Sequence, residues 1–382
     1  MKDVYINSIS VFMPNKAVNN SDMEQVLGMV DDKPSLVKRI VLKSNGIQSR
    51  YYAIDPKTGA TTHSNAQLAK NAIDALAQSG FSLEECDLLA CGTTTPDQLL
   101  PNHALMVHGE SSLKPMEVAS LAGICLSGLM SLRYAYLAIK AGEVKSAIAT
   151  GSENISASMR GRNFEPEVQA KVEMVKKNKE LTFEKDFLRW MLSDGAGAIG
   201  LGSAPNGDDA LSLKIENIFI KSYACEQEAC MYSGCEKLSD GSVRGYREYL
   251  PEEWLKKSIF AIKQDIKLLN EEVVKYTVTK PLQEMLEKEL FNPDEIDWFL
   301  PHYSSEYFKD RVYQGMVAAG CDIPQERWFT NLVTKGNTGS ASIYIILEEL
   351  FNSGKLKKGE KLLCYIPESG RFSTAFMLLE VV

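Results

Sequence analysis

The sequence predicts an α/β fold made of two related halves, because segments of the first half recur in the second in the same order. FSLEECDLLACG at 81–92 resembles FNPDEIDWFLPH at 291–302, since both begin with Phe, carry Asp at the seventh position and continue as an apolar strand. The run 125–142 resembles the run 337–354, since each opens an apolar helical stretch that closes on Gly. The paired segments are 210 and 212 residues apart.

A third pair has nearly the same spacing, because YINSI at 5–9 and KIENI at 214–218 are 209 residues apart. Strand–turn–helix units look alike in many proteins, but three matches in one order at a near-constant spacing favour a duplication. We therefore expect halves near 1–205 and 206–382, each a mixed, mostly parallel sheet covered by helices. A site would then form where the halves meet.

Two segments lack a counterpart in the other half and are interpreted as insertions, which often cap an active site. Residues 164–192 read as a charged amphipathic helix, and residues 225–260 contain Cys225, Cys230 and Cys235. These cysteines are evenly spaced, but they form no CxxC pair and no His lies near them, so the sequence disfavours a metal site.

Composition and charge narrow the functional class. The 382 residues are 45% hydrophobic and 24% charged, which is typical of a globular protein and excludes a disordered chain or a coiled coil. With a net charge of −8, the chain lacks the overall positive potential that nucleic-acid binding usually needs. The N-terminus reads as a strand and not a signal peptide, and no run of about 18 apolar residues predicts a membrane span. We expect a cytoplasmic protein with free thiols.

Cys125 is the first candidate for chemistry. It opens the helical run within LAGICLSGLMSLRYAYLAIKAG (121–142), which is apolar almost all round and therefore buried. The partial positive charge at a helix N-terminus favours thiolate, so we expect the pKa of this thiol to be lowered by roughly one unit. The alternative is a buried structural cysteine.

His302 and Asn337 are the second and third candidates. His302 is the one histidine of the second half and follows an apolar strand, where α/β proteins place site residues. Asn337 is the repeat counterpart of Cys125, so a pseudo-twofold axis would bring all three to one point. The alternatives are a satisfied structural histidine and a helix N-cap asparagine.

A thiol, an imidazole and an amide suit acyl transfer through a thioester. The thiolate attacks an acyl carbonyl, and the imidazole and amide donate hydrogen bonds to a second oxyanion as it develops. A cysteine hydrolase would use water as the acceptor instead, and the apolar surroundings of Cys125 argue against water.

Around these residues the chain resembles the β-ketoacyl-acyl-carrier-protein synthase III family of the thiolase superfamily over most of its length. The resembling segments are KSNGIQSRYYA (43–53), CGTTTPDQLLPN (91–102), TGSENIS (150–156), SDGAGAIGL (193–201), GNTGSAS (336–342) and PESGRFSTAF (367–376). The resemblance implies a thiolase-like fold, in which duplicated α/β halves give a layered αβαβα architecture, and a homodimer.

The resemblance also implies the roles of the site. Cys125 would accept an acyl group from an acyl carrier protein or acyl-CoA thioester, and His302 and Asn337 would stabilise the enolate of a malonyl- or β-ketoacyl-type partner. Backbone N–H groups of Cys125 and Gly370 would form the oxyanion hole. No metal or other cofactor is implied, because the phosphopantetheine arm arrives with the substrate.

The chain departs from the family pattern at three places. His302-Tyr303-Ser304-Ser305 replaces His-Gln-Ala-Asn, Gly370 stands where the family has a triple Gly, and Ile40 replaces a Trp that often clamps coenzyme A. These departures favour a specialised branch, and the His-x-Ser-Ser motif resembles the ketosynthases that form dialkylresorcinols. A chain-length-setting inactive partner subunit and a thioesterase are the remaining alternatives.

Further charged residues are candidates for accessory roles. Glu153 follows a strand end and could move protons in a cyclising step, the alternative being a surface or capping acid. Two basic patches could dock an acidic carrier protein, or could be solvated helix faces. Their candidate residues are Lys176 and Lys177 in the first insertion, and Lys309 and Arg311 after His302.

Overall fold

A computed structural model of the chain describes residues 2–30, 32–35, 37–164, 188–207 and 210–382. The first insertion therefore lies largely outside the described residues, and so do Lys176 and Lys177. The strands in chain order are β1 (Tyr5–Phe12), β2 (Val18–Asn19), β3 (Ser49–Arg50), β4 (Leu88–Thr93), β5 (Glu117–Ala122), β6 (Ser146–Glu153), β7 (Gly195–Gly202), β8 (Leu213–Ser222), β9 (Met231–Tyr232), β10 (Cys235–Lys237), β11 (Val243–Gly245), β12 (Lys263–Gln264), β13 (Trp298–Pro301), β14 (Lys361–Glu368) and β15 (Ser373–Val381).

Helices follow or separate these strands. The α-helices are α1 (Met23–Leu27), α2 (Lys38–Asn45), α3 (Asn65–Gln78), α4 (His103–Glu110), α5 (Leu126–Ala141), α6 (Pro251–Lys256), α7 (Ile266–Val274), α8 (Lys280–Glu287), α9 (Lys309–Ala318), α10 (Leu332–Lys335) and α11 (Ser342–Phe351), with a π-helical turn at Lys275–Thr279. Short 3-10 turns lie at Gly161–Asn163, Tyr246–Glu248, Pro293–Glu295, Glu306–Phe308, Gln325–Arg327 and Gly339–Ala341.

Across the described residues, one mixed sheet runs in the order β5-β4-β6-β7-β1-β8-β15-β14-β13. The strand order within each half is the same. In the first half, β4 pairs parallel with β5 and β6, and β6 pairs antiparallel with β7. In the second half, β13 pairs parallel with β14, which pairs antiparallel with β15, and a parallel bridge from Phe299 to Trp328 stands in the place of β5. The shared strand order agrees with the predicted duplication, while the division near residue 205 stays a prediction. The expectation of mostly parallel sheets is wrong, because five of the eight strand pairings in this sheet are antiparallel and three are parallel.

The repeat extends to single hydrogen bonds. Asp87, at the seventh position of the first repeated segment, donates its backbone N–H to the first residue of β6, and Asp297 does the same to the first residue of β14. The sheet continues between the halves through a short antiparallel pairing of β1 with β8.

The helices pack in layers. Helices α5 and α11 share one buried apolar cluster with strands from both halves. Helices α3 and α4 cover the outer side of the first half, and α7, α8 and α9 cover the outer side of the second. The α/β fold class predicted from the sequence is therefore confirmed. Most residues of α5 and α11 are buried between the two halves, which explains the apolar character of both helices, although Tyr134 and Leu137 on α5 are exposed.

A close approach between the halves determines where the helix of Cys125 lies. A methyl group on Gly128 would stand 2.1 Å from the carbonyl oxygen of Ser340, so only glycine permits this contact. The Tyr344 hydroxyl donates to the Gly128 carbonyl at 2.8 Å from the same side. The N-terminal turn of α5 is thus packed against the turn that follows Asn337.

The described part of the chain was compared with the features of membrane-spanning and metal-binding proteins. None of its helices is both long enough and apolar enough to cross a membrane. No group of three or more His, Cys, Asp or Glu side chains within it is arranged to hold a metal ion, and all eight cysteines are free thiols.

Candidate active site

Cys125 occupies the N-cap position of α5, directly after the turn that leaves β5. Its side chain is partly exposed and contributes to the walls of two cavities. Burial raises the pKa of the thiol strongly, and the carboxylates of Glu153 and Glu368 raise it further. The expected lowering of this pKa is therefore wrong, because the partial charge of a helix N-terminus does not outweigh burial beside two acids.

His302 lies directly after β13, where its backbone N–H donates to the Tyr365 carbonyl at 2.8 Å. The side chain is 3% exposed and lines the smaller cavity together with Cys125. Burial lowers the pKa of the imidazole to about 4, so the ring is neutral at pH 7. A neutral imidazole offers one N–H donor and one acceptor nitrogen to a bound group.

Asn337 lines the larger cavity, which Cys125 also borders. Two backbone bonds hold it in place, from the Ser193 N–H to its carbonyl at 2.8 Å and from its own N–H to the Met191 carbonyl at 3.1 Å. Its Oδ1 accepts the Gly339 N–H at 2.9 Å, which leaves Nδ2 to donate. The helix that follows has Ala341 as its N-cap, so the alternative of an N-cap asparagine is wrong.

The two cavities differ in size and lining. The smaller has a volume of about 40 Å³ and lies between Cys125, His302 and apolar side chains of α7 and α9. The larger has a volume of about 740 Å³, within the range of small-molecule sites. Cys125, Ser304 and Ser369 border both cavities, so the thiol stands where they meet.

The second insertion forms the wall of the larger cavity opposite the first half of the chain. Tyr232, Tyr246 and Phe260 from this segment line it. Tyr246 packs on Phe260 with ring centroids 5.3 Å apart and on Trp254 at 5.9 Å, and the Trp254 indole N–H donates to the Tyr246 carbonyl at 2.9 Å. We call Tyr246, Trp254 and Phe260 the aromatic cap. The second insertion therefore lines the cavity that Cys125 borders.

Glu153 ends β6 and lines the larger cavity with a carboxylate that is 3% exposed. One carboxylate oxygen accepts the Thr94 hydroxyl at 2.5 Å and the Ser340 N–H at 3.2 Å, and the other accepts the Thr95 hydroxyl at 2.7 Å. Burial raises the pKa of Glu153, and these hydrogen bonds oppose the rise. The alternative of a surface acid is therefore wrong.

The loop after β14 differs from the expectation for the oxyanion hole. The Gly370 N–H donates to Oε1 of Glu368 at 2.6 Å, so it is not left for a thioester oxygen. Ser369 borders both cavities beside Cys125, and its N–H makes no hydrogen bond within the described residues. Sequence reasoning missed Ser369 and Glu368. The available signal was that Glu368 ends β14 as Glu153 ends β6.

The chain is similar in sequence to a family model and to proteins of established name. Residues 286–371 match the family model described as 3-oxoacyl-[acyl-carrier-protein] synthase III C terminal. The β-ketoacyl-[acyl-carrier-protein] synthase III of Clostridium perfringens (strain ATCC 13124) is 27% identical over 366 residues, covering 95% of each chain. The Aquifex aeolicus protein of the same name is 25% identical over 353 residues, covering 92% of each.

Solved structures show the same fold. AbyA1, a tetronic acid condensing enzyme, is similar with a TM-score of 0.76 at 20% identity, covering 99% of both chains. The synthase III of Aquifex aeolicus has a TM-score of 0.67 at 22% identity, also covering 99% of both. OleA of Xanthomonas campestris has a TM-score of 0.72 at 18% identity, covering 99% of this chain and 98% of that one.

The chain is similar to the β-ketoacyl-[acyl-carrier-protein] synthase III proteins over 92–95% of its length, and its C-terminal part matches their family model. The predicted thiolase-like architecture is confirmed by the fold that the chain shares with the solved synthase III structure. This resemblance predicts that a carrier docks near Lys309 and Arg311. The Arg311 guanidinium donates to the Asn270 carbonyl at 2.6 Å and to the Tyr307 hydroxyl at 3.3 Å, so it already holds α7 against α9. Lys309 begins α9 and is partly exposed.

Proposed function

We propose that this protein is an acyltransferase that forms a carbon–carbon bond by Claisen condensation. The Cys125 thiolate attacks an acyl thioester and expels the pantetheine thiolate, which takes up the proton that Cys125 released, and an acyl group remains on the enzyme. A malonyl-type thioester then loses carbon dioxide, and its enolate carbon attacks the enzyme thioester and frees Cys125. The supporting observation is the position of Cys125 where a cavity lined by His302 meets a cavity lined by Asn337.

The roles of the three residues follow from their surroundings. Because burial raises the pKa of Cys125, its proton must leave as the thioester binds, and the neutral imidazole of His302 faces the same cavity to accept it. The imidazole N–H and the Asn337 amide then donate to the enolate oxygen of the second substrate. The backbone N–H groups of Cys125 and Ser369 are the donors we propose for the thioester oxyanion.

A second candidate function shares the first step and differs in the partner. Glu153 places a buried carboxylate in the cavity that holds the acyl chain, where it could carry a proton between carbon and oxygen during a ring-closing step. This position favours a β-ketoacyl thioester as the second substrate and a dialkylresorcinol-type product. An inactive partner subunit is disfavoured, because Cys125, His302 and Asn337 are all present.

The proposal includes partners. The acyl donor is an acyl carrier protein or acyl-CoA, whose phosphopantetheine arm makes a separate cofactor unnecessary, and the protein works in the cytoplasm. Lys309 remains the docking candidate on the described surface. A homodimer is supported by the edge strand β5 and by the exposed apolar side chains of Tyr134 and Leu137 on α5, the helix that packs on β5, which would otherwise meet water.

The direct test of the proposal supplies acyl thioesters together with malonyl carrier protein and identifies the products by mass. A β-ketoacyl product with release of carbon dioxide is expected. Release of the free acid at a comparable rate would replace the proposal with a thioesterase. A cyclic product obtained only with a β-ketoacyl partner would favour the second candidate.

Shortening the aromatic cap is expected to change the preferred acyl chain length. Phe260→Ala removes part of the wall of the larger cavity and so enlarges the cavity. The kcat/KM for longer acyl groups should therefore rise roughly tenfold relative to that for shorter ones. The measurement compares kcat/KM across a series of acyl thioesters. Leu255→Ala is the matched control, because Leu255 belongs to the same insertion, is 65% exposed and does not line the cavity. An unchanged profile for Phe260→Ala would place the acyl chain elsewhere.

A further inference from the structure

Glu368 and Glu153 are equivalent residues of the repeat. Each is the last residue of an eight-residue strand, and β6 and β14 hold the same place in the strand order of their halves. Both carboxylates lie close enough to Cys125 to affect its ionisation. The two acids nevertheless have different partners, since Glu153 accepts the hydroxyl groups of Thr94 and Thr95 and the backbone N–H groups of Thr94 and Ser340, all distant from it in sequence.

Glu368 instead collects the backbone N–H groups of its own loop. Oε1 accepts the Gly370 N–H at 2.6 Å and Oε2 accepts the Ser373 N–H at 3.2 Å, and the Arg371 N–H also faces the carboxylate. Burial raises the pKa of Glu368, and these backbone hydrogen bonds oppose the rise because they stabilise the ionised carboxylate. The Ser369 N–H has no hydrogen-bond partner within the described residues, and Ser369 borders both cavities.

The conformation of this loop needs such support. Phe372 is fully buried with φ of 60°, a left-handed conformation that a bulky residue seldom adopts. From the other side, the Gly370 carbonyl accepts the N–H groups of Cys230 at 2.7 Å and Met231 at 3.2 Å, which belong to the second insertion. Hydrogen bonds therefore hold the loop on two sides, from the insertion to the Gly370 carbonyl and from the loop N–H groups to the carboxylate of Glu368.

We propose that Glu368 is a positioning residue that fixes loop 369–373 so that the Ser369 N–H meets the oxyanion of the thioester on Cys125. The inference rests on the proposed function. Glu368 touches no substrate atom in this arrangement and acts through Ser369. Misplacing one oxyanion donor typically slows the acyl-transfer step about 10²–10³-fold, which bounds the effect from above.

The test measures two reactions of Cys125 in Glu368→Gln. Acylation by an acyl thioester passes through an oxyanion, and its rate should fall at least about tenfold. Alkylation by iodoacetamide requires thiolate but no oxyanion donor. Removing the charge of Glu368 lowers the pKa of the thiol, so alkylation at mildly alkaline pH should become faster. Opposite changes in the two rates are the signature of the positioning role.

Two further variants separate the alternatives. Glu252→Gln removes a charge from the exposed first turn of α6, outside both cavities, so both rates should stay at the wild-type value. Glu368→Asp keeps the charge but withdraws it from the loop, so acylation should slow without faster alkylation. The inference is overturned if Glu368→Gln acylates like wild type, or if acylation and alkylation slow together. Failure of the wild type to acylate, with normal alkylation, would instead refute the proposed function.

Discussion

Cys125→Ala is expected to carry no acyl group after mixing with any acyl thioester, whereas the wild type gains the mass of one acyl group. The alanine side chain has no nucleophile, and no second cysteine lines either of the two cavities that Cys125 borders. Condensation should fall by about 10⁴-fold or more, as it does when a covalent nucleophile is removed from other enzymes. Intact-protein mass and product formation measure the two effects separately.

Cys225→Ala is the matched control for this loss. Cys225 is exposed and lies outside both cavities, so its removal should leave the adduct and the condensation rate unchanged. An adduct that persists in Cys125→Ala and disappears in another cysteine variant would show that the nucleophile has been assigned to the wrong residue.

His302→Ala is expected to separate acylation from condensation. The enolate of the second substrate loses an N–H donor, and removal of such a group costs about 10²–10⁴-fold in rate. The acyl adduct on Cys125 should still form, at a lower rate, because the thiol and its oxyanion donors remain. Asn337→Ala should show the same pattern with a loss of about 10²–10³-fold. Single-turnover mass measurements report the adduct, and carbon dioxide release reports condensation.

The pH dependence of the wild type provides an independent check on His302. Burial lowers the pKa of its imidazole to about 4, so the ring stays neutral well below the ordinary histidine pKa of about 6.5. Condensation should therefore show no inflection near pH 6.5, and protonation of the ring should stop it only at more acidic pH. His108→Gln is the control, because His108 lies on α4 away from both cavities. A His302→Ala protein that condenses at the wild-type rate would remove His302 from the mechanism.

The candidate residues of the site could be selected from the sequence because the repeated segments are separated by nearly the same number of residues. The constant spacing pairs Cys125 with Asn337, and the repeated strand ending at His302 places a histidine at the same edge. Helix α5 was predictable for a similar reason, since its apolar run has the length and the Gly end of its counterpart. Such patterns are properties of single segments, and packing need not be known to read them.

Other features of the site depend on which atoms meet after the halves pack, and no local pattern specifies that. Burial beside Glu153 and Glu368 reverses the expected change in the pKa of Cys125, because desolvation depends on everything that surrounds the thiol. Likewise, the carboxylate of Glu368 takes the Gly370 N–H and leaves that of Ser369 at the cavity. Spacing along the chain was thus enough to predict the α/β fold and to select Cys125, His302 and Asn337 as candidates. The charge state of the thiol and the choice of N–H donors arose only from long-range packing, because both depend on distances of a few ångströms between residues far apart in sequence.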